Sequence, residues 1–288
     1  MTDAALYARR FSSLVRLEHS LFALPYAYVG ALLAVDGWPG LANLVWITLA
    51  MVGARSLAMA LNRLIDARID AANPRTARRE LPSGLLSRAQ VWAFCLVSLA
   101  VLLVAVSQLA EITRWLWPIP VAMFAIYPYL KRVTPLCHLW LGACIGLAPV
   151  GAWVAVTDEV PWQPFLLGAV VACWVAGFDI IYATMDLEHD RRNGLHSLPA
   201  DFGLVRALLA TRVLHGLAVV AMVGVGLELD LGVAYWAAVA ICAVLLAYEN
   251  SLVKPDDLSR VNAAFFNVNA ILAGIYLAGV ALDVAIRS

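Results

Sequence analysis

Charge is what this sequence has least of. Asp, Glu, Lys and Arg together make up 14 % of its 288 residues, against about a quarter in a soluble domain. The two signs cancel, 20 basic against 20 acidic, so no bulk attraction to nucleic acid or to acidic surfaces is indicated. Cysteine is sparse and scattered: Cys95, Cys137, Cys144, Cys173 and Cys242 form no CxxC pair. That argues against a zinc site or a disulfide framework and for small buried apolar residues. The opening MTDAALYARRFSSLVRLEHS has no apolar core followed by a small-residue cleavage site, so no signal peptide is expected. No low-complexity linker divides the chain, and a single domain over residues 1–288 is expected.

What the chain has instead is apolar length. Hydrophobic residues make up 63 %, and they come in blocks of about 17–23, enough to cross a hydrocarbon layer about 30 Å thick. The reading is an all-α polytopic membrane protein. Nine spans are expected, near 17–36, 44–62, 91–109, 113–130, 136–156, 164–185, 207–227, 231–249 and 263–283. Turn signals separate them: DGWPG, PRT with LPSG, TDEVPWQP and VKPDD. Basic residues collect in the N-terminus and in the connections after spans 2, 4, 6 and 8; only Arg55, Arg114 and Arg287 fall elsewhere. This bias places the N-terminus and those loops in the cytoplasm and the C-terminus outside, in a cell inner membrane.

Within this apolar setting, two stretches stand out. In ALNRLIDARIDAANPRTARRE, Asn62, Asp66 and Asp70 recur every four residues and share one helix face, which Arg55 joins seven residues upstream. In YATMDLEHDRRNGLHS and the span before it, Asp179, Tyr182, Asp186 and Asp190 are read as lining up in the same way. Ionisable residues in a span are costly and face a bundle interior or a watery cavity. Two such faces at the cytoplasmic ends of two spans imply one polar chamber. Facing carboxylates repel unless a cation neutralises them, and Mg²⁺ takes a few carboxylates together with substrate phosphates. Arg and Lys nearby would hold the phosphate oxygens that the metal leaves free. The pair therefore reads as a diphosphate clamp, and a diphosphate with a membrane-soluble tail is a polyprenyl diphosphate.

Tyr127 and Lys131 in YPYLKR also share a face, placing Lys131 within reach of a leaving diphosphate; the plainer alternative is an interfacial aromatic beside a snorkelling lysine. Arg55 either pairs with an internal aspartate or meets a substrate. The histidines show no ligand spacing, and only His189 lies inside an acidic motif. The ten tryptophans read as an interfacial belt. An ion-coupled transporter is the rival class, but it calls for broken helices and acids near the midplane.

On these motifs the chain resembles the UbiA superfamily of intramembrane aromatic prenyltransferases, over nearly its whole length. NxxxDxxxD is met by Asn62, Asp66 and Asp70, and DxxxD by Asp186 and Asp190; RTARRELPSG and HSLPADFG also look like the family's loops. The resemblance implies nine helices around a central polar cavity. It also implies Mg²⁺ on Asn62, Asp66, Asp70, Asp186 and Asp190, and transfer of a polyprenyl group to a hydroxylated aromatic acid in quinone synthesis. Diphosphate contacts are expected from Lys131, Arg63, Arg75, Arg79 and Arg191. The acceptor carboxylate is expected on Arg55, and its ring or hydroxyl near Asp179 or Tyr182. The branch looks like the 4-hydroxybenzoate polyprenyltransferases, closest to members assigned to the futalosine route to menaquinone, whose acceptor is 1,4-dihydroxy-6-naphthoate. Other acceptors of the superfamily (the dihydroxynaphthoate of the classical menaquinone route, a haem, a chlorophyllide) are the alternatives. The sequence departs from the pattern in two places: Arg63 follows Asn62 where some branches carry an acid, and Glu80 follows Arg79 where many carry proline.

Overall fold

The computed structural model describes residues 10–14 and 17–287. Among them no strand forms; the named elements are helices joined by short turns. They are α1 (Leu17–Ala34), α2 (Leu41–Ala72), α3 (Arg88–Ser107), α4 (Thr113–Leu116), α5 (Pro118–Leu130) and α6 (Cys137–Thr157). After them come α7 (Gln163–Ala183), a 3₁₀ turn (Thr184–Asp186), α8 (Leu187–Asn193), α9 (Leu198–Glu228) and α10 (Val233–Leu252). A π-helical turn (Ala263–Val268) leads into the last helix, α11 (Asn269–Arg287).

Each of the nine apolar blocks meets a helix, and seven helices are long and apolar enough to cross a membrane by length and composition. Two expected spans fall short of that measure. The described, apolar part of the first covers Ala23–Ala34. The fourth is divided at Trp117, where Pro118, which has no N–H to continue a hydrogen-bond ladder, begins a new helix.

Local chemistry sets the helix ends. Ser87 and Gln90 form a reciprocal capping box at the start of α3. Ser197 caps α9, accepting from Ala200 N. α6 stops at Asp158, whose backbone is left-handed (φ 58) and whose side chain accepts from Ile112 N at 2.9 Å.

Neighbouring helices close a ring: α1–α2–α5–α6–α7–α9–α10–α11 and back to α1, with α3 packed along α2 and α1 also crossing to α6. A close seam lies between α6 and α7. There a Cβ on Gly142 would sit 2.2 Å from Ala172 O, and one on Gly146 2.5 Å from Gly168 O. Small residues let the two backbones touch, the usual packing where lipid gives no hydrophobic drive between helices. Large apolar side chains such as Trp115, Leu96 and Val233 remain exposed on the outside, which in a lipid setting is their favoured solvent. At 1.5 Å per residue the 32 residues of α2 reach about 48 Å. α2 is thus longer than the hydrocarbon layer, and its polar C-terminal turns can stand at the membrane face.

Candidate active site

The first motif keeps its face because α2 runs unbroken through it. Asp66 is 1 % exposed and is clasped by Lys131 Nζ at 2.6 Å and Arg132 at 3.1 Å, both from the end of α5. Asn62 donates to Asp66 Oδ2 at 3.3 Å. One turn on, Asp70 pairs with Arg79 at 2.7 Å and faces Arg63 at 3.8 Å. Buried carboxylates carry a desolvation cost of several kcal/mol each, which their cationic partners offset. Arg132 was read in the sequence only as a topology marker; here it also holds Ile65 O at 3.0 Å.

The second motif does not continue a single helix face as the spacing suggested. α7 ends at Ala183, and the 3₁₀ turn Thr184–Asp186 shifts the register before α8 begins. A 3₁₀ turn holds 3.0 residues rather than 3.6, so the four-residue rule does not carry through it, although Tyr182 and Asp186 still share Arg75. Asp186 turns to Arg75, which binds it through both Nε (2.8 Å) and Nη2 and reaches Tyr182 OH at 2.8 Å through Nη1. Burial alone would lower the Arg75 pKa, but the bonds to Asp186 and Tyr182 outweigh it and raise the value, so the loop guanidinium is firmly charged. Asp190 accepts instead from Ser197 Oγ at 3.1 Å. Arg191, an expected diphosphate contact, is exposed and donates to Ala200 O at 3.1 Å.

Asn73, at the end of α2, joins the two motifs. Its Nδ2 donates to Asp186 Oδ1 at 2.8 Å while its Oδ1 accepts from Arg75 N at 2.9 Å. It lies three residues beyond Asp70, on the face already identified, and that spacing was the signal for it.

Below this junction lies a cavity of about 250 Å³ lined by Arg55, Asn62, Arg63, Arg79, Tyr127, Asp179, Tyr182, Phe265 and Asn269, among others. A second, almost wholly apolar cavity of about 410 Å³ adjoins it, and Arg55, Ala58, Phe124 and Cys144 line both. Arg55 therefore stands where the polar chamber meets the apolar one. Its Nε is buried without a hydrogen-bond partner among the described residues, so the structural pairing with an internal aspartate is not seen. Asp179 is held from behind by His138, Nδ1 to Oδ2 at 2.7 Å, and Leu198 N donates to the other ring nitrogen at 3.3 Å. His138 and Asp179 are 41 residues apart, and no spacing rule links them. His189 instead bonds its helix neighbour Asn193.

Among the described residues no three carboxylate, histidine or cysteine side chains converge closely enough to hold a metal ion. Asp66, Asp70 and Asp186 are each engaged by basic side chains instead. The donor set nevertheless suits a hard cation: it is all oxygen, it sits on two neighbouring elements bridged by Asn73, and Asp70 Oδ2 is buried with no hydrogen bond.

Known proteins resemble the chain over most of its length. The UbiA prenyltransferase family matches residues 23–271. A protein of Xanthomonas euvesicatoria pv. vesicatoria named 4-hydroxybenzoate octaprenyltransferase is 36 % identical over 260 residues, covering 88 % of this chain and 84 % of its own. One of the same name from Aliivibrio fischeri is 31 % identical, covering 94 % and 91 %. The apo structure of a UbiA homolog from Aeropyrum pernix K1 superposes with a TM-score of 0.85 at 35 % identity, over 92 % of this chain and 98 % of that one. A UbiA homolog from Archaeoglobus fulgidus bound to GPP and Mg²⁺ shares the fold, with a TM-score of 0.73 at 22 % identity over 94 % and 99 % of the two chains.

Proposed function

The chain belongs to the UbiA prenyltransferase family, and from that premise we propose that it transfers a polyprenyl group from a polyprenyl diphosphate to a ring carbon of a hydroxylated aromatic acid. The observation that carries this reading is the junction of the two acidic motifs, through Asn73 and Arg75, over a chamber that holds a buried arginine whose Nε has no partner among the described residues. A diphosphate fits the basic rim, a carboxylate fits Arg55, and the adjoining apolar cavity suits an isoprenoid tail. The chain acts as one integral-membrane domain with nine crossings, in the cell inner membrane, its rim facing the cytoplasm.

Asn62, Asp66, Asp70, Asp186 and Asp190 are the residues that would hold Mg²⁺, which when bound neutralises diphosphate charge as a Lewis acid. Lys131, Arg63, Arg75 and Arg79 bind phosphate oxygens and stabilise the negative charge that grows as the allylic C–O bond breaks. Arg55 orients the acceptor by its carboxylate, with Tyr127, Asp179 and Tyr182 around the ring. The ring carbon takes the allylic carbon, forming a C–C bond, and the ring proton then leaves to restore aromaticity. Asp179, with one oxygen on His138, is placed to receive it. The apolar walls keep water from capturing the cation.

Both acids named by the resemblance, 4-hydroxybenzoate and 1,4-dihydroxy-6-naphthoate, carry the carboxylate that Arg55 requires. The relatives' name favours the first. Purified protein in nanodiscs, given Mg²⁺, farnesyl diphosphate and both acids together, is expected to yield one prenylated acid by mass. Release of diphosphate without either product would rule out the acceptor class. No release would rule out the transfer.

A further inference from the structure

Two polar side chains deep among the C-terminal helices take no part in the motifs. Glu249 on α10 is completely buried, and a carboxyl deep among membrane-spanning helices is costly. Its Oε1 accepts from Asn269 Nδ2 at 3.0 Å, and its Oε2 has no hydrogen-bond partner among the described residues. Asn269 is the first residue of α11 and lines the polar chamber.

The orientation of the Asn269 amide is fixed by its neighbours. The Trp174 indole can only donate, so it takes Oδ1; the Ala264 and Phe265 carbonyls can only accept, so they take Nδ2, at 3.1 and 3.0 Å. Those two carbonyls belong to the π-helical turn Ala263–Val268. Such turns are rare and recur at functional sites, and here the Asn269 amide holds two of the carbonyls that the turn leaves out of the i→i−4 ladder. The turn carries Phe265, whose ring stacks on Tyr182 at 4.2 Å and meets Phe178 edge-on at 5.3 Å; all three rings line the chamber.

We propose that Glu249 and Asn269 are positioning residues for the acceptor pocket: by holding the π-turn they set Phe265 against Tyr182 and so shape the aromatic wall on which the acceptor ring lies. The inference rests on the transfer reading above. One residue in a helix is about 100° of rotation, so collapse of the π-turn to a regular α-helix swings Phe265 off Tyr182. Arg75 keeps both of its bonds to Asp186 in that event, so the diphosphate rim is spared. The wall, not the clamp, answers to Glu249.

The test compares steady-state kinetics of four variants in nanodiscs, with Mg²⁺, farnesyl diphosphate and whichever acid the wild type prenylates. Asn269→Asp keeps the shape but replaces the donor with an acceptor; Glu249→Leu removes the carboxyl. Each is expected to raise the acceptor KM about tenfold, as for loss of a buried hydrogen bond to a polar partner, with the diphosphate KM held within about twofold. Glu249→Gln retains an acceptor oxygen and is expected to restore the wild-type acceptor KM. Phe265→Leu leaves the network intact and removes the stacked ring; it reproduces the acceptor defect even if the polar variants fail to fold. An unchanged acceptor KM in Phe265→Leu, or a parallel rise of both KM values in the folded polar variants, overturns the proposal. So does a Glu249→Gln variant as impaired as Glu249→Leu. Calorimetric binding of the acid separates the two readings. A wild type that binds the acid without turnover sinks the transfer reading, and the variants' binding ratios then decide this one; a wild type that does not bind it sinks both.

Discussion

The two acidic motifs have the same four-residue spacing and opposite architectures. Asn62, Asp66 and Asp70 ride one uninterrupted helix, and both carboxylates are buried and clasped by Lys and Arg from other segments. Asp186 and Asp190 sit on a 3₁₀ turn and a seven-residue helix, and they face different partners, Arg75 and Ser197. The first motif is a rigid rail, since bending α2 there would break backbone bonds in an apolar setting. The second is a short strap joined to the rail by Asn73 and Arg75.

That contrast is sharpest in what each carboxylate supports. Asp66→Ala removes a clamp ligand and strands Lys131 and Arg132 around a buried void. Turnover in membranes is expected to fall by about 10³ or more, with a smaller effect on stability because Lys131 and Arg132 are partly exposed and can be hydrated; near-normal turnover would show that the rail is not the clamp. Arg75→Ala frees the strap from Tyr182 and Asp186. Here the diphosphate KM is expected to rise about 10- to 100-fold, as for loss of a charge-assisted bidentate bond, with a much smaller change in stability. Arg55→Gln tests the chamber rather than either motif. The acceptor KM is expected to rise about tenfold, while an acceptor lacking the carboxylate loses nothing further by the substitution. Arg191→Ala, directed at a side chain that donates to Ala200 O outside the chamber, is expected to change kcat/KM by less than about twofold. A large loss there would mean the strap turns Arg191 inward during catalysis.

How legible all this was in the sequence follows from the same distinction. Helical spacing reads what happens along one continuous helix, so the face of Asn62, Asp66 and Asp70 was plain, and Asn73 was there to be read by the same rule. Spacing fails where the helix type changes. The 3₁₀ turn at Thr184–Asp186 and the π-turn at Ala263–Val268 interrupt the regular ladder, so a four-residue rule does not carry through them; Asp186 meets Tyr182 on Arg75, while Asp190 meets Ser197. Pairs made across the bundle, His138 with Asp179 or Trp174 with Asn269, leave no trace in spacing. Glu249 and Asn269 left only a weak one: Glu249 is the single acid near the end of its apolar block, beside Asn250 and Ser251, and Asn269 follows Asn267, so the cost of burying either was not plain from the sequence. The apolar blocks themselves each met a helix, since a run of that length in lipid has no other way to satisfy its backbone, but they marked neither the polar helix α8 nor the break at Trp117.

The central claim is that rail and strap form one diphosphate site. The most direct test is a double-mutant cycle on kcat/KM with Asp66→Asn, Asp186→Asn and the pair together, in nanodiscs with Mg²⁺. Residues acting on one group as a unit are strongly non-additive, so the double variant is expected to be little worse than the poorer single one. Full multiplication of the two losses would place the aspartates in separate sites and contradict the account.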